Sequence, residues 1–237
     1  MKRDFLFAYY QTPRGKLLRD LEVSYLQSSI VVSCKQTILQ VGGLDWENEF
    51  IDCSLYTNYT ILDAKNLGHA GARKIRAKAY HLPLQSNSVD MIILPHILEF
   101  DAYRFQTMRE VERVLKPEGV VVILNFNPLS LWVRYQYLWD KRLADSWRGH
   151  FISRHRVIDW LKLLNFEVTT VSQFNLDSIK TAHFKMASPF SMSATAYGVK
   201  AIKRRYNLIP LTPVKNLSPR LALAGAGMSR HRQQSHE

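Results

Sequence analysis

The sequence predicts an α/β fold with a doubly wound, mostly parallel sheet, and three neighbouring segments carry that prediction. Val89–Leu94 and Gly119–Leu124 are predominantly apolar and do not alternate apolar with polar residues. Such strands are usually buried on both faces, as in a parallel sheet that helices cover. Between them, Ala102–Leu115 has the spacing of an amphipathic helix. Strand, helix and strand over this length form a βαβ unit with a right-handed crossover. The helix positions predicted to be buried are Phe105, Met108, Val111 and Leu115.

The remaining elements are predicted from periodicity and from capping residues. A first helix is expected from Pro13 to about Lys35, with an apolar stripe opposite charged residues that include Glu22. Ser153 is a good N-cap for a helix that ends near Leu164. The other predicted strands are Thr37–Val41, Tyr59–Leu62, Ile75–Ala79, Phe166–Phe174 and Ala194–Ile202.

Composition limits the classes of protein to which the chain can belong. Of its 237 residues 46% are hydrophobic, which is enough for a substantial core. Cys34 and Cys53 are too few for a disulfide scaffold and lack metal-ligand spacing, so we expect no metal and a reducing, cytoplasmic location. No apolar run approaches the ~20 residues of a transmembrane segment. The net charge of +12 favours anionic partners, so nucleic acid is one candidate partner.

Several motifs between residues 79 and 119 resemble a known family. In the small-molecule, methyltransferase type 11-like group of class I S-adenosylmethionine (SAM)-dependent methyltransferases, L-P and S-F-D precede an apolar strand, and H-x-L-E and E-x-x-R-V-L-K-P-G-G follow it. The resemblance covers roughly Thr37 to Ile202, and the order and spacing of the motifs are more specific than any one of them. The matching residues are Leu82-Pro83, Ser88-Val89-Asp90, His96-Ile97-Leu98-Glu99, Glu110 and Arg113-Val114-Leu115-Lys116-Pro117-Glu118-Gly119.

The resemblance implies a Rossmann-like sheet of seven strands, with the last strand antiparallel in the sheet interior, and SAM as the cofactor. Together with the charge and the prolines of the C-terminal part, it predicts an N-terminal helical segment at residues 1–36, a methyltransferase-like domain at 37–205 and a basic tail containing Pro and Gly at 206–237. In this fold an N-terminal helix often caps the cofactor pocket, and packing on the sheet edge is the alternative. The tail could contact RNA or a membrane surface, or could be solvated charge.

Asp63 is the candidate for binding the cofactor ribose. It follows the second predicted strand, and a carboxylate there can accept both ribose hydroxyl protons, as in the Rossmann fingerprint. The alternative is an Asp that caps a helix or closes a turn.

The predicted Gly-rich loop departs from the family pattern. Where the family has D-x-G-x-G-x-G, this chain has Gln40, Gly42, Leu44 and Trp46 at the four defining positions. Glycine lets a backbone approach a ligand, and a helix start presents free N–H groups, so a helix is expected after the loop to about Asp52. The departure implies an altered loop path or an altered pocket, and a plain turn is the alternative.

Two further positions bear on the cofactor site. Lys78 stands where the family usually has an Asp that meets the adenine amino group, although neighbouring backbone groups could still bind adenine. His96 ends the fourth strand, where it could act as a base, line the pocket or serve a structural role. No other catalytic residue is indicated. The resemblance implies as cofactor-binding residues Val41, Gly42, Gly43, Leu44, Asp63, Ala64, Ala79, Tyr80, Leu82, Pro95 and His96.

Three functional hypotheses follow. The first is SAM-dependent methyl transfer to an unidentified acceptor, expected to be a small molecule. The second is a methyltransferase-like binding protein without catalysis, suggested by the departures at the loop and at Lys78. The third is a methyltransferase or binding protein associated with RNA or another nucleic acid, suggested by charge alone. Residues 129–149, rich in aromatic residues and Arg, are interpreted as a lid over the pocket, with base stacking and phosphate contact as the alternative.

Overall fold

A computed structural model describes residues 3–30, 35–53, 55–65, 67–130, 151–176 and 194–205. All of them lie in the first of the two units of the chain, Met1–Arg205. The predicted lid, apart from its first two residues, and the predicted basic tail lie outside the described residues. In the described part of the chain, no helix is long and apolar enough to cross a membrane.

The fold is organised around a seven-stranded sheet, which confirms the predicted fold class. The strand order is β3-β2-β1-β4-β5-β7-β6. Strands β1 to β5 pair in parallel, whereas β7 pairs antiparallel with both β5 and β6. The order reverses direction between β1 and β4, and ligands in open α/β sheets bind beyond the carboxyl ends of the strands at such a point. The strands are β1 Ile38–Val41, β2 Tyr59–Leu62, β3 Arg73–Ile75, β4 Val89–Pro95, β5 Leu115–Phe126, β6 Phe166–Phe174 and β7 Ala196–Lys203.

Four described helices cover the two faces of the sheet. They are α1 Asp4–Tyr10, α2 Pro13–Ser29, α3 Arg104–Val114 and α4 Arg154–Leu163. Alternate residues of the strands face each side: α1 and α2 pack on one apolar cluster, and α3 and α4 pack on the other. Ser153 caps α4 as predicted, because its hydroxyl accepts a hydrogen bond from the Arg156 N–H.

Helix α1 was not predicted as a separate helix, and it packs closely against α2. Thr12 caps α2, with its hydroxyl accepting from the Gly15 N–H at 3.0 Å, and Pro13 occupies the first turn. A Cβ on Gly15 would lie 1.9 Å from the Tyr9 carbonyl oxygen, so only glycine permits this approach. Helix α2 ends at Ser29, earlier than predicted.

Three predictions of local structure are wrong. The expected helix after Gly43 is only a 3-10 turn, Glu47–Glu49. Strand β3 is Arg73–Ile75 rather than Ile75–Ala79, because β2 pairs with it only as far as Leu62 opposite Ile75. Phe105 is 53% exposed rather than buried. The centroid of its ring lies 4.6 Å from that of the Trp160 ring.

Candidate functional site

A cavity of about 320 Å³ opens at the carboxyl ends of the parallel strands. Val41, Leu62 and Ala79 contribute to its wall, so the end of β1, the end of β2 and the segment after β3 meet there. Leu94 is fully buried and does not reach the cavity. The segment after β4 contributes Ile97, Phe100 and Asp101 to the wall instead. A volume near the lower end of the ~300–1,000 Å³ range of ligand pockets is enough for a nucleoside-sized group.

Asp63 lies in the wall of this cavity and is held by three donors. Its Oδ2 accepts from the Gly43 N–H at 3.1 Å and from Arg3 Nη1 at 2.6 Å. Its Oδ1 accepts from the Lys65 N–H at 2.7 Å. The backbone donors fix the carboxylate against the loop after β1, so its orientation follows from the ends of both strands.

Arg3 is the most unexpected residue in the cavity wall. Its side chain is only 10% exposed, and its Nη2 donates to the Gly43 carbonyl at 2.8 Å. A Cβ on Gly42 would lie 3.0 Å from both terminal nitrogens of Arg3, and Gly42 has a φ of +97°. Glycine at position 42 is therefore favoured by the backbone conformation, and a side chain there would also press on the guanidinium. Burial lowers the pKa of Arg3, and Asp63 opposes that shift.

The loop after β1 is held by Gln40 and Glu47. Gln40 Nε2 donates to the Gly42 carbonyl and to Glu47 Oε1, both at 2.9 Å. Glu47 is fully buried and also accepts from the Leu44 N–H at 2.5 Å and the His69 N–H at 2.9 Å. The family pattern has a carboxylate at position 40, where this chain has Gln40. Here the carboxylate that holds the loop belongs to Glu47, in the 3-10 turn found in place of the expected helix.

Cationic and aromatic side chains form the rim of the cavity on the β3 side. Lys65 and Lys78 are exposed, and both belong to the cavity wall. The Lys78 ammonium lies 5.5 Å from the centre of the Tyr80 ring, whose centroid is 4.6 Å from that of Tyr103. Because an ammonium donates hydrogen bonds and cannot accept them, Lys78 does not replace an Asp as an acceptor for an adenine amino group.

His96 is sealed away from the cavity. Its side chain is fully buried, with Nε2 2.9 Å from Glu22 Oε1 and Nδ1 3.1 Å from Glu99 Oε2. Burial lowers the pKa of His96, but the attraction and hydrogen bonds of Glu22 and Glu99 outweigh it and raise the pKa to about 9. Both ring nitrogens of the imidazolium therefore donate, and neither can accept a proton as a general base.

The two carboxylates beside His96 are themselves tied to other elements. Tyr10 of α1 donates its hydroxyl to Glu22 Oε2 at 2.6 Å, and the Phe126 N–H donates to Glu99 Oε1 at 2.5 Å. Burial raises the pKa of Glu99, and its bonds to His96 and Phe126 oppose that rise. This cluster fixes α1 and α2 on the ends of β4 and β5.

Aromatic rings occupy the region between the Gly-rich loop and His96. The ring centroids of Tyr10 and Trp46 are 5.6 Å apart, and those of Phe126 and His96 are 4.4 Å apart. Leu44 is 1% exposed in the same apolar cluster. The side chains that replace the family's second and third glycines therefore pack into the core beneath α1, outside the wall of the cavity.

The structure thus brings together only part of the predicted site. Arg3, Glu22 and Glu47 were not predicted; Arg3 is separated from Asp63 by 60 positions, and no local pattern indicates such a pair. The predicted residues in the cavity wall are Val41, Gly42, Asp63, Ala64, Ala79 and Tyr80. The predicted residues outside the wall are Gly43, Leu44, Leu82, Pro95 and His96. Among the described residues, no group of three or more His, Cys, Asp or Glu could hold a metal ion.

The strand order, the crevice at its reversal and the acidic end of β2 define a Rossmann-like fold of the methyltransferase type. A solved structure described as a SAM-dependent methyltransferase, possible histamine N-methyltransferase, from Thermotoga maritima superposes with a TM-score of 0.59. That similarity covers 84% of this chain and 100% of the other, at 13% identity. The [4+2]-cyclase SpnF superposes with a TM-score of 0.54 over 79% of this chain and 81% of its own, at 14% identity.

Sequence comparisons agree with the fold. A family model described as a methyltransferase domain matches residues 21–123. The uncharacterized protein YafS of Escherichia coli (strain K12) is 34% identical over 164 residues, which are 69% of this chain, and the chain spans 66% of that protein's length. The match of the methyltransferase-domain model and the fold of the solved structures agree with the resemblance to the class I SAM-dependent methyltransferase family that the motifs predicted. SAM is the cofactor that this family implies.

Proposed function

We propose that the protein transfers a methyl group from SAM to an acceptor of small size. The observation that carries the proposal is the carboxylate of Asp63, held at the end of β2 inside a nucleoside-sized cavity. A carboxylate fixed by backbone donors keeps acceptor capacity for ribose hydroxyls. The sulfonium of SAM supplies an already activated methyl group, so the protein's main task is to align the two reactants.

The residues of the cavity fit the nucleoside part of the cofactor. We propose that Asp63 binds the ribose, that the backbone of Ala79 and Tyr80 meets the adenine edge, and that Ile97 packs against the base. The left-handed backbone at Gly42 lets the loop after β1 approach the ligand closely. His96 is proposed to hold the strand ends in place through Glu22 and Glu99 and takes no proton from the acceptor.

A small acceptor is supported by the enclosure of the strand ends. Helices α1 and α2 lie over the ends of β4 and β5, where Tyr10 and Glu22 meet His96 without solvent access. An acceptor large enough to cover the ends of β4 and β5 would have to displace both helices.

Calorimetric titration with S-adenosylhomocysteine, the product form of the cofactor, tests the binding step. We expect Asp63→Ala to weaken binding at least tenfold, about 1.4 kcal/mol. Asp20→Ala is the matched control, since Asp20 lies on α2 with a side chain that is 66% exposed. Absence of binding to the unaltered protein at millimolar ligand would remove the proposal, and equal affinity in the Asp63 variant would remove the role of Asp63.

A second candidate is a methyltransferase-like binding protein without methyl transfer. Its support is the departure of the loop after β1 from the family pattern, Lys78 in place of an Asp, and the sealed position of His96. A similar fold also occurs in a protein described as a [4+2]-cyclase, so the fold alone does not define the reaction. Incubation with SAM carrying a labelled methyl group and a metabolite extract separates the two candidates: binding without label transfer favours the second.

A further inference from the structure

The contact between Arg3 and Asp63 places a cation where the proposed function needs a free acceptor. Arg3 Nη1 lies 2.6 Å from Asp63 Oδ2, and the same oxygen already accepts from Gly43. A ribose hydroxyl that approached this oxygen would compete directly with the guanidinium. A ribose that binds through both hydroxyls, one on each carboxylate oxygen, therefore requires the ion pair to open.

Opening the pair would leave the Arg3 guanidinium poorly compensated. The side chain is 90% buried, since its exposed fraction is 10%. Its Nε has no hydrogen-bond partner among the described residues, and apart from Asp63 only the Gly43 carbonyl accepts from its side chain there. Removing one partner of a buried ion pair is strongly unfavourable, because the remaining charge has lost both water and its counter-ion.

The other carboxylate in the cavity wall does not offer Arg3 a ready replacement. Asp101 Oδ1 accepts from the Tyr103 N–H at 2.9 Å, and its Oδ2 accepts from the Thr107 hydroxyl. Glu47 also attracts Arg3, but its carboxylate is bound within the loop after β1, so a ligand can supply the anion that the described residues of the cavity wall lack. SAM and S-adenosylhomocysteine carry an amino-acid carboxylate, whereas 5′-methylthioadenosine has the same nucleoside and sulfur without it.

We infer that Arg3 is a specificity residue that exchanges Asp63 for a carboxylate of the ligand, so that the cavity selects nucleosides that carry an anionic group. This inference rests on the proposed function, because it takes Asp63 as the ribose site. A ligand with a carboxylate replaces the ion pair that it breaks. A neutral nucleoside breaks the pair and leaves Arg3 without a counter-ion.

The test measures calorimetric affinities of S-adenosylhomocysteine and 5′-methylthioadenosine for the unaltered protein and for Arg3→Gln. We expect the substitution to tighten binding of methylthioadenosine at least tenfold, because no ion pair has to open. Binding of S-adenosylhomocysteine should change much less, because the ion pair that it breaks and the ion pair that it forms are both removed. Lys16→Gln is the matched control: it removes one exposed positive charge from α2, and both affinities should stay unchanged.

Any other set of affinity changes in Arg3→Gln contradicts the proposed exchange of Asp63 for a ligand carboxylate. Equal tightening of both ligands would make Arg3 a simple competitor, and weakening of S-adenosylhomocysteine alone would make it a simple clamp. Unchanged affinities would show that the pair opens at no cost. If neither ligand binds either protein, the proposed function fails together with the inference. Thermal unfolding of Arg3→Gln checks that the variant is folded, and Arg3→Lys, which keeps the charge, should retain most of the discrimination.

Discussion

The buried contact between Glu22 and His96 allows a stability prediction with a defined pH dependence. Glu22→Gln keeps the size and shape of the side chain and removes its negative charge. The carboxamide oxygen can still accept from the imidazole, and the NH2 group takes the place of the oxygen that accepts from Tyr10, whose hydroxyl can turn to accept a hydrogen bond instead. What changes is the electrostatic attraction that keeps His96 protonated. The substitution therefore isolates the charge from the packing.

The magnitude follows from the shift in the pKa of His96. The folded protein holds it at about 9, against ~6.5 for an unperturbed histidine. At ~1.36 kcal/mol for each pKa unit, the shift corresponds to about 3 kcal/mol. Because the pKa is higher in the folded state, this stabilisation is fully present below about pH 6.5 and is lost as the pH rises through about 9. Glu22 supplies the largest share of the upward shift, so we expect the variant to lose about 2 kcal/mol near neutral pH.

Urea unfolding of both proteins from about pH 6 to about pH 9.5 measures this loss. The difference in the free energy of unfolding should be largest at the acidic end and should shrink as His96 deprotonates in the unaltered protein. Glu49→Gln is the control, because Glu49 is 43% exposed and lies 3.5 Å from Arg19; we expect a loss below about 1 kcal/mol. A difference that is constant with pH would refute the reasoning, since it would show that His96 is not held protonated by Glu22.

Two further substitutions test how the helices are held. Gly15→Ala places a methyl group on the Tyr9 carbonyl oxygen, so we expect α1 to separate from α2 and its amides to lose protection in hydrogen exchange; unchanged protection would contradict the close approach. Lys203→Met removes a buried ammonium that donates to two backbone carbonyls at the carboxyl end of α3, and we expect a loss of about 1–3 kcal/mol in urea unfolding. Lys162→Met, at an exposed position in the last turn of α4, is the matched control, and an equal loss in both variants would assign the effect to charge alone.

The sheet was largely predictable because its signals are local. Tyr59–Leu62 and Phe166–Phe174 were predicted with the bounds that the structure has, since runs of β-branched and aromatic residues end there at Asp63 and Asn175. The end of β3 was misplaced because its length is set by its neighbour: the Asp63 N–H donates to the Ile75 carbonyl, and the chain then leaves the sheet.

The candidate site was less predictable because it depends on contacts between distant residues. Glu22 was assigned to the polar face, although its spacing from Leu18 and Leu26 places it on the buried one. The charge on that face is stabilised by Tyr10 and by His96, and sequence spacing cannot show a partner such as His96 that lies 74 positions later. The helix expected after Gly43 is absent because the Glu47 side chain hydrogen-bonds to the loop backbone, where its carboxylate accepts from the Leu44 N–H.

The position of β7 has a consequence for the order in which the protein can be assembled during synthesis. Strand β6 leaves the ribosome before β7, yet among the described strands it pairs with β7 alone, which in turn pairs with β5. Five strands can therefore associate as soon as Phe126 has emerged, whereas the remaining pair must wait for Lys203. A nascent chain halted between these two residues would carry β6 without a partner, and its unpaired backbone groups would be open to association with other chains.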